Sequence, residues 1–244
     1  MEKKLLIIVP TRSRPENVAK VVQAWEDTGA FEDGAELCFA VDRDDPKYGE
    51  YRETDAYRHV RPGVAVTLHT EWRPMVHKLN TASRWMLLNR PNQFAIGFAG
   101  DDHLPRTRGW AGRYINALAE MGTGIVSSPD GYRPDELPTQ WAMTADIVRA
   151  LGRMVPADVE HLYCDNAVWE LGLAAGCYRY LPDVLIEHMH PLAGKAKQDS
   201  QYTRVNHQSQ YLRDQAAYRS WLEMPAGLGA DKLKVRELMN GHRA

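Results

Sequence analysis

Cysteine is scarce in this chain, with only Cys38, Cys164 and Cys177 among 244 residues. An odd count with no CxxC spacing excludes a disulfide framework and a zinc knuckle, and it agrees with a reducing, cytoplasmic setting. Long apolar runs are also missing. None approaches the roughly 20 residues of a membrane span. The first run, Leu5 to Val9, is cut off by Pro10 before it reaches signal-peptide length. An excess of one charge is lacking too: 30 basic residues face 32 acidic ones, a net charge of −2. That balance argues against a general nucleic-acid binder and against a polybasic membrane anchor. No repeat, low-complexity tract or linker divides the sequence, so one compact domain is expected. A chain of this length buries about 70–75% of its unfolded surface and needs no staple to build a core.

What is present alternates. Leu5 to Val9 suits a strand buried on both faces. The loop Pro10 to Pro15 follows, with Ser13 and Glu16 at capping-box spacing and a helix expected from Pro15. Leu37 to Val41 is a second strand, followed by the acidic loop Asp42 to Pro46, a short helix, and a third strand at Val64 to His69. Pro74 opens a helix whose apolar face includes Leu79, Ala82, Trp85 and Met86. Phe94 to Ala99 is a fourth strand, running into Gly100-Asp101-Asp102-His103. This order predicts an α/β fold with a central, mostly parallel sheet between helices. In such sheets ligands sit beyond the carboxyl ends of the strands, near the switch in strand order. Thr11 to Arg14, Asp42 and Asp101 to His103 all fall at those ends. The second half is less regular: a helix over Thr107 to Met121, a strand at Gly124 to Ser127, an edge strand at Thr139 to Met143, and a helix from Ala145 to Leu151. Another helix spans Leu162 to Ala175, and an extended stretch covers Tyr178 to Met189. The polar segment Gly194 to Ser209 then leads into a last helix containing Leu212 and Trp221.

Four groups of residues have chemistry to offer. The adjacent carboxylates of Asp101 and Asp102 repel unless a cation or hydroxyl donor holds them ionised, although a solvated turn would look the same in sequence. His188 and His190 share one face of an extended segment and could reach one ion, or simply lie on a surface strand. Carboxylates plus imidazole suit manganese or magnesium with phosphate better than a closed zinc site. Asp165, at a helix start, is either a first-turn acid or a general base, with Glu160 and Glu170 as rivals. Arg12, Arg14, Lys78, Lys195, Lys197 and Arg204 are candidate pyrophosphate partners, Lys195 and Lys197 in a loop suited to closing over a nucleotide. Trp72, Trp110 and Trp141 are either sugar platforms or core.

The order Ile8-Val9-Pro10-Thr11-Arg12, then Asp42 after the second strand, then Gly100-Asp101-Asp102 after the fourth, resembles the GT-A fold glycosyltransferases, especially family 2-like enzymes. Lys78-Leu79-Asn80 resembles the basic and asparagine positions on the helix before that family's acidic motif. The likeness is fullest over residues 4–110 and thinner over 158–191. It implies a GT-A-like catalytic domain over 1–222, with a nucleotide-binding half (1–110), an acceptor half (111–222) and a tail at 223–244. It implies a nucleotide-diphosphate-sugar donor, a divalent metal (Mn2+ or Mg2+), and an acceptor hydroxyl on a protein, glycan or small molecule. Pro10, Thr11, Arg14 and Lys78 would then line the nucleotide pocket, with Asp42 at the base and Asp101 at the ribose. Asp102 with His188 or His190 would hold the metal, Lys195 and Lys197 would meet the diphosphate, and Asp165 would be the base of an inverting reaction. The acidic motif can also be taken as Asp101-Asp102-His103, which resembles the Asp-any-His variant of some retaining enzymes and makes His103 a ligand; Asp165 then need not be a base.

Other classes compete. A nucleotidyltransferase would carry a glycine-rich loop after the first strand, and Pro10 to Pro15 holds no glycine. A non-catalytic nucleotide- or glycan-binding protein would bind without turnover. A metal-dependent phosphohydrolase would have no use for a nucleotide pocket at the second strand. A homo-oligomer is compatible with all of these.

Overall fold

The computed structural model describes residues 2–54, 63–69, 73–133 and 137–241. The apolar run after Lys4 forms β1 (Leu5–Thr11), flanked by β2 (Ala35–Asp42) and β4 (Ala95–Phe98), with β3 (Val64–His69) beyond β2. These four pair in parallel. The sheet continues from β4 through β7 (Trp141–Thr144) and β6 (Ile125–Ser127) to β8 (Tyr178–Tyr180), giving seven strands in the order β3-β2-β1-β4-β7-β6-β8. Only β7 runs against the others. A two-stranded antiparallel ribbon of β5 (His103–Pro105) and β9 (Ile186–His188) stands apart from it.

Residues on β1 alternate between two cores, as the two-residue period of a strand requires. Leu5, Ile7 and Val9 pack against α1 (Pro15–Asp27) and α4 (Trp110–Met121), with Trp110 in edge contact with both Trp25 and Tyr114. Leu6 and Ile8 face α3 (Met75–Asn89), α5 (Ala145–Leu151) and α6 (Cys164–Ala175). α2 (Tyr48–Glu53) follows the acidic loop and buries Tyr51. The chain closes with α7 (Ser200–Val205), α8 (Gln208–Glu223) and α9 (Ala230–Gly241). No helix among the described residues is long and apolar enough to cross a membrane.

The architecture is the expected α/β sheet flanked by helices, with local differences. Helix α1 starts at Pro15, but Ser13 does not cap it. Ser13 lies in the left-handed region at φ 59°, and Asp45 takes both its N–H (2.7 Å) and its hydroxyl (3.3 Å). The strand expected at an edge near Thr139 is β7, fully buried between β4 and β6. Gly97 admits it there: a Cβ at that position would lie 2.3 Å from the Trp141 carbonyl. The long extended stretch divides into β8 and β9, which belong to different sheets. The segment 223–244, expected as a tail, contributes α9, whose Val235 is buried in the same core as β1. Trp110 and Trp141 are core residues rather than platforms, 2% and 0% exposed, and Trp72 lies outside the described residues.

Candidate functional site

The strand order reverses between β1 and β4, and a cleft of about 1100 Å³ opens beyond their carboxyl ends. Pro10 and Thr11 enter it from β1, Arg14 from the loop before α1, Asp101 and Asp102 from the turn after β4, and His103 from the start of β5. A chain of hydrogen bonds fixes this wall. Thr11 donates to Asp101 Oδ2 at 2.7 Å, so the Tyr51 hydroxyl, 3.0 Å from Thr11 Oγ1, donates to Thr11 and accepts the Arg14 N–H at 2.9 Å. The Arg14 guanidinium then serves three carboxylates. It donates to Asp101 Oδ1 at 3.0 Å, lies 3.8 Å from Asp102 Oδ2, and grips both oxygens of Asp199 at 2.7 and 2.9 Å. Burial and the neighbouring Asp102 push Asp101 up to about 6, with Arg14 and Thr11 opposing.

Asp199 caps α7 by accepting the Tyr202 N–H at 2.9 Å. Tyr202 in turn donates its hydroxyl to Asp102 Oδ2, and its ring lies 4.5 Å from the Arg14 guanidinium carbon. The segment 199–206 is therefore strapped across the cleft by the residues that form its wall.

Asp102, His103 and His188 converge, one ligand atom of each lying within 4.8 Å of the others. β5 and β9 pair His103 with His188 directly, so the two imidazoles stack at 4.1 Å. Asp102 Oδ1 is 3.2 Å from His103 Nδ1 and 3.5 Å from His188 Nε2. Gly100 makes this approach feasible: a Cβ there would lie 2.6 Å from Asp102 Oδ1 and 2.7 Å from His103 Nδ1. The Gly100 N–H donates to His103 Nδ1 at 3.1 Å, which makes that nitrogen an acceptor. It therefore has no proton for Asp102, and two lone pairs face each other at the contact. His188 Nδ1 is buried and 3.8 Å from Asp130 Oδ2, with no partner at hydrogen-bond distance. Burial resists protonation of His188, but Asp102 and Asp130 outweigh it and raise the imidazole to about 9. Burial likewise resists ionisation of Asp102, yet the charged imidazole of His188 holds it well below the usual carboxylate range. A carboxylate and two imidazoles, with facing acceptors between them, fit a divalent cation and would release a proton on taking one.

Beneath this wall, fully buried Asp42 accepts from Arg12 Nη1 at 2.8 Å and Lys78 Nζ at 2.9 Å, both on Oδ2. Its other oxygen, Oδ1, is buried without a hydrogen-bond partner. Arg204 comes close enough that its charge, after burial and against Asp42, helps depress Lys78. Three cations thus gather around the end of β2.

The far end of the cleft is built from 160–166 and α8. Asp214, with no exposed surface, accepts the backbone N–H groups of Glu160, His161 and Leu162 at 2.7, 3.1 and 2.7 Å. Tyr163 follows at φ 64°, a left-handed conformation that costs a residue with a Cβ about 1–2 kcal/mol. Asp165 stands in the first turn of α6 and lines the cleft, as does Glu160; Glu170 is not on its wall. Burial pushes His161 down to about 4; Asp214 opposes, and Arg204 and Lys78 add to the depression. Because this lies below the unfolded value, the unfolded chain takes its proton first as pH falls. The contribution of neutral His161 is present above about pH 6.5 and is lost toward pH 4. Urea unfolding should therefore show His161→Asn losing up to about 2 kcal/mol less than the parent between pH 7 and 4.5. Equal losses in the two proteins would discard this assignment.

Of the residues expected at the site, Pro10, Thr11, Arg14, Lys78, Asp101, Asp102, Asp165, His188 and His190 line the cleft, with Asp42 beneath it. His190 stands outside the Asp102 group: its Nδ1 accepts the Leu192 N–H at 3.2 Å and its ring stacks on Tyr132 at 4.9 Å. Lys195 is bound to Glu187 (2.8 Å) and the Gly131 carbonyl (3.0 Å), and neither it nor Lys197 lines the cleft. Sequence reasoning missed Tyr51, Asp130, Asp199, Tyr202 and Asp214, none of which carries a motif.

No family model matches the chain, and no curated protein matches it by sequence. Solved structures do match. A mannosyltransferase from Pyrobaculum calidifontis in complex with GDP-Man and Mn2+ superposes with a TM-score of 0.60 at 17% identity, over 93% of this chain and 76% of that one. TarS of S. aureus in complex with UDP gives 0.61 at 10% identity, over 98% and 71%. Its complex with UDP-GlcNAc gives 0.59 at 12% identity, over 98% and 72%. The fold is that of the GT-A-like glycosyltransferases.

Proposed function

We propose that this chain is a metal-dependent glycosyltransferase, moving a sugar from a nucleotide-diphosphate-sugar donor to an acceptor hydroxyl. One observation carries the proposal. The Asp102-His103-His188 group and the cations Arg12, Lys78 and Arg204 meet in one cleft, at the switch point of a sheet whose fold is shared with such enzymes. Asp102, His103 and His188 would hold Mn2+ or Mg2+, which when bound neutralises charge on a departing diphosphate.

The remaining work falls to the chain's own groups. Asp42 Oδ1, a buried acceptor flanked by Arg12 and Lys78, would take an N–H of the nucleobase edge. Thr11 and Arg14 hold Asp101 in place, where it would meet the ribose hydroxyls. Arg204 and Lys78 would face the diphosphate. Asp165 lines the same cleft from the start of α6, and would take the proton of the acceptor hydroxyl as it attacks the sugar carbon. The strap at 199–206 would exclude water from the reacting bond, limiting loss of donor to hydrolysis.

The test is thermal unfolding with UDP or GDP, each with and without Mn2+. A ligand at a hundred times its Kd stabilises by about 2.7 kcal/mol, which for a chain of this length raises Tm by about 5–10 °C. The expected result is a rise requiring both nucleotide and metal, with release of nucleoside diphosphate from the matching sugar donor. Absence of any nucleotide-dependent rise would refute the donor site.

A further inference from the structure

The cleft end away from the nucleotide wall is more elaborately held than a connecting loop needs. One face of α8 clamps it. Asp214 binds three consecutive backbone N–H groups of 160–162 and also accepts from Gln210 Nε2 at 3.0 Å. Gln210 donates as well to Glu160 Oε2 at 2.9 Å, and Gln215 donates to the Tyr163 hydroxyl at 3.1 Å. The Tyr163 ring stacks on Tyr218 at 5.2 Å and leans on Tyr211 at 5.5 Å. All of this fixes a tyrosine in the left-handed conformation, where a glycine would sit without strain. The result is a shelf formed by Tyr163 and Tyr211, both lining the cleft, with Tyr211 45% exposed. Glu160, Gln210 and Asp165 border the same cleft.

Two aromatic rings set at 56° to each other and rimmed by carboxylate and amide groups form an angled apolar corner, which matches a ligand with an apolar C–H face and a rim of hydroxyls. We infer that the Tyr163–Tyr211 shelf is the acceptor subsite, and that the acceptor presents a pyranose ring to it. The inference rests on the transferase reading, because it sets the sugar hydroxyl beside Asp165. It narrows the acceptor class to glycans and glycosides.

Saturation-transfer NMR tests it with the methyl glycosides of glucose, mannose, galactose and N-acetylglucosamine. Each is added to the full chain with Mn2+ and UDP or GDP, and the nucleotide-dependent rise in Tm is measured on the same samples. The expected result is saturation of ring protons for at least one glycoside, weakened about tenfold in affinity by Tyr211→Ala. Tyr211 is exposed, so its replacement should leave the nucleotide-dependent rise unchanged. Two results would overturn the subsite while leaving the donor reading intact: no glycoside saturates although the nucleotide still raises Tm, or saturation is the same in Tyr211→Ala. Saturation lost in Tyr211→Ala, with no nucleotide-dependent rise in the parent, would uphold a sugar site and sink the transferase. Loss of both signals in the parent would overturn both.

Discussion

Asp102→Asn should retain the fold and lose transfer by on the order of 10³-fold, because the several kcal/mol that a bound metal contributes convert at about 1.4 kcal/mol per tenfold. The substitution removes one charge and keeps the shape. The amide oxygen can still accept from the Tyr202 hydroxyl, and the backbone carbonyl still takes the Met189 N–H at 2.8 Å. What disappears is the anionic atom facing His103 and His188. Calorimetric titration with Mn2+ alone separates the cause from the effect. Heat of binding should be present in the parent and absent in the variant, while urea unfolding without metal remains a single cooperative transition, shifted down because the charge on His188 loses one of its two carboxylate partners. Unaltered Mn2+ binding in Asp102→Asn would move the metal away from this cluster.

The second large effect is structural. Arg14→Ala removes a guanidinium that is 14% exposed and serves Asp101, Asp102 and Asp199 together. Taking one partner from a buried ion pair typically costs about 3–5 kcal/mol. Asp199 is partly in water, which puts the expected loss at the lower end, about 3 kcal/mol or 6–12 °C in Tm for a chain this long. Arg14→Lys should recover only part of it, since one ammonium cannot match the two-pronged grip on Asp199. Limited proteolysis provides the specific readout. New cleavage within 195–207 is expected in Arg14→Ala, at enzyme concentrations that leave the parent intact. If stability falls with no new cleavage there, Arg14 does not secure the strap.

These two residues also mark where a sequence reading succeeds and where it stops. β1, β2 and β4 were legible because strands buried on both faces are continuous apolar runs, and polar residues at their ends must lie together once the strands are parallel. Thr11, Arg14, Asp42 and Asp101 followed from that alone. The Asp102-His103-His188 group illustrates the limit. The spacing of His188 and His190 suggested a pair along one strand, whereas the fold pairs His188 with His103 across the β5–β9 ribbon, and no spacing within either segment encodes that register. Asp199 and Tyr202 reach Arg14 and Asp102 across 185 and 100 positions, so their polar segment reads as loop until the tertiary contacts are known. Ser13 had the spacing of a cap, but Asp45 from the neighbouring loop outcompetes the local bond. Asp214 sits within a helix of mostly exposed residues, where one carboxylate among several gives no sign of being buried.

The strap has a consequence for how the protein is made. A nascent chain emerges from its N-terminus, and domains settle as their residues become available. Arg14, Asp101 and Asp102 all belong to about the first hundred residues of the sequence. Asp199 and Tyr202 lie about a hundred residues further on, and His188 only slightly nearer. Until they arrive, the histidine pair is incomplete and the tyrosine hydroxyl is missing from Asp102. The half-made protein thus lacks part of both the Asp102-His103-His188 group and the strap over its cleft.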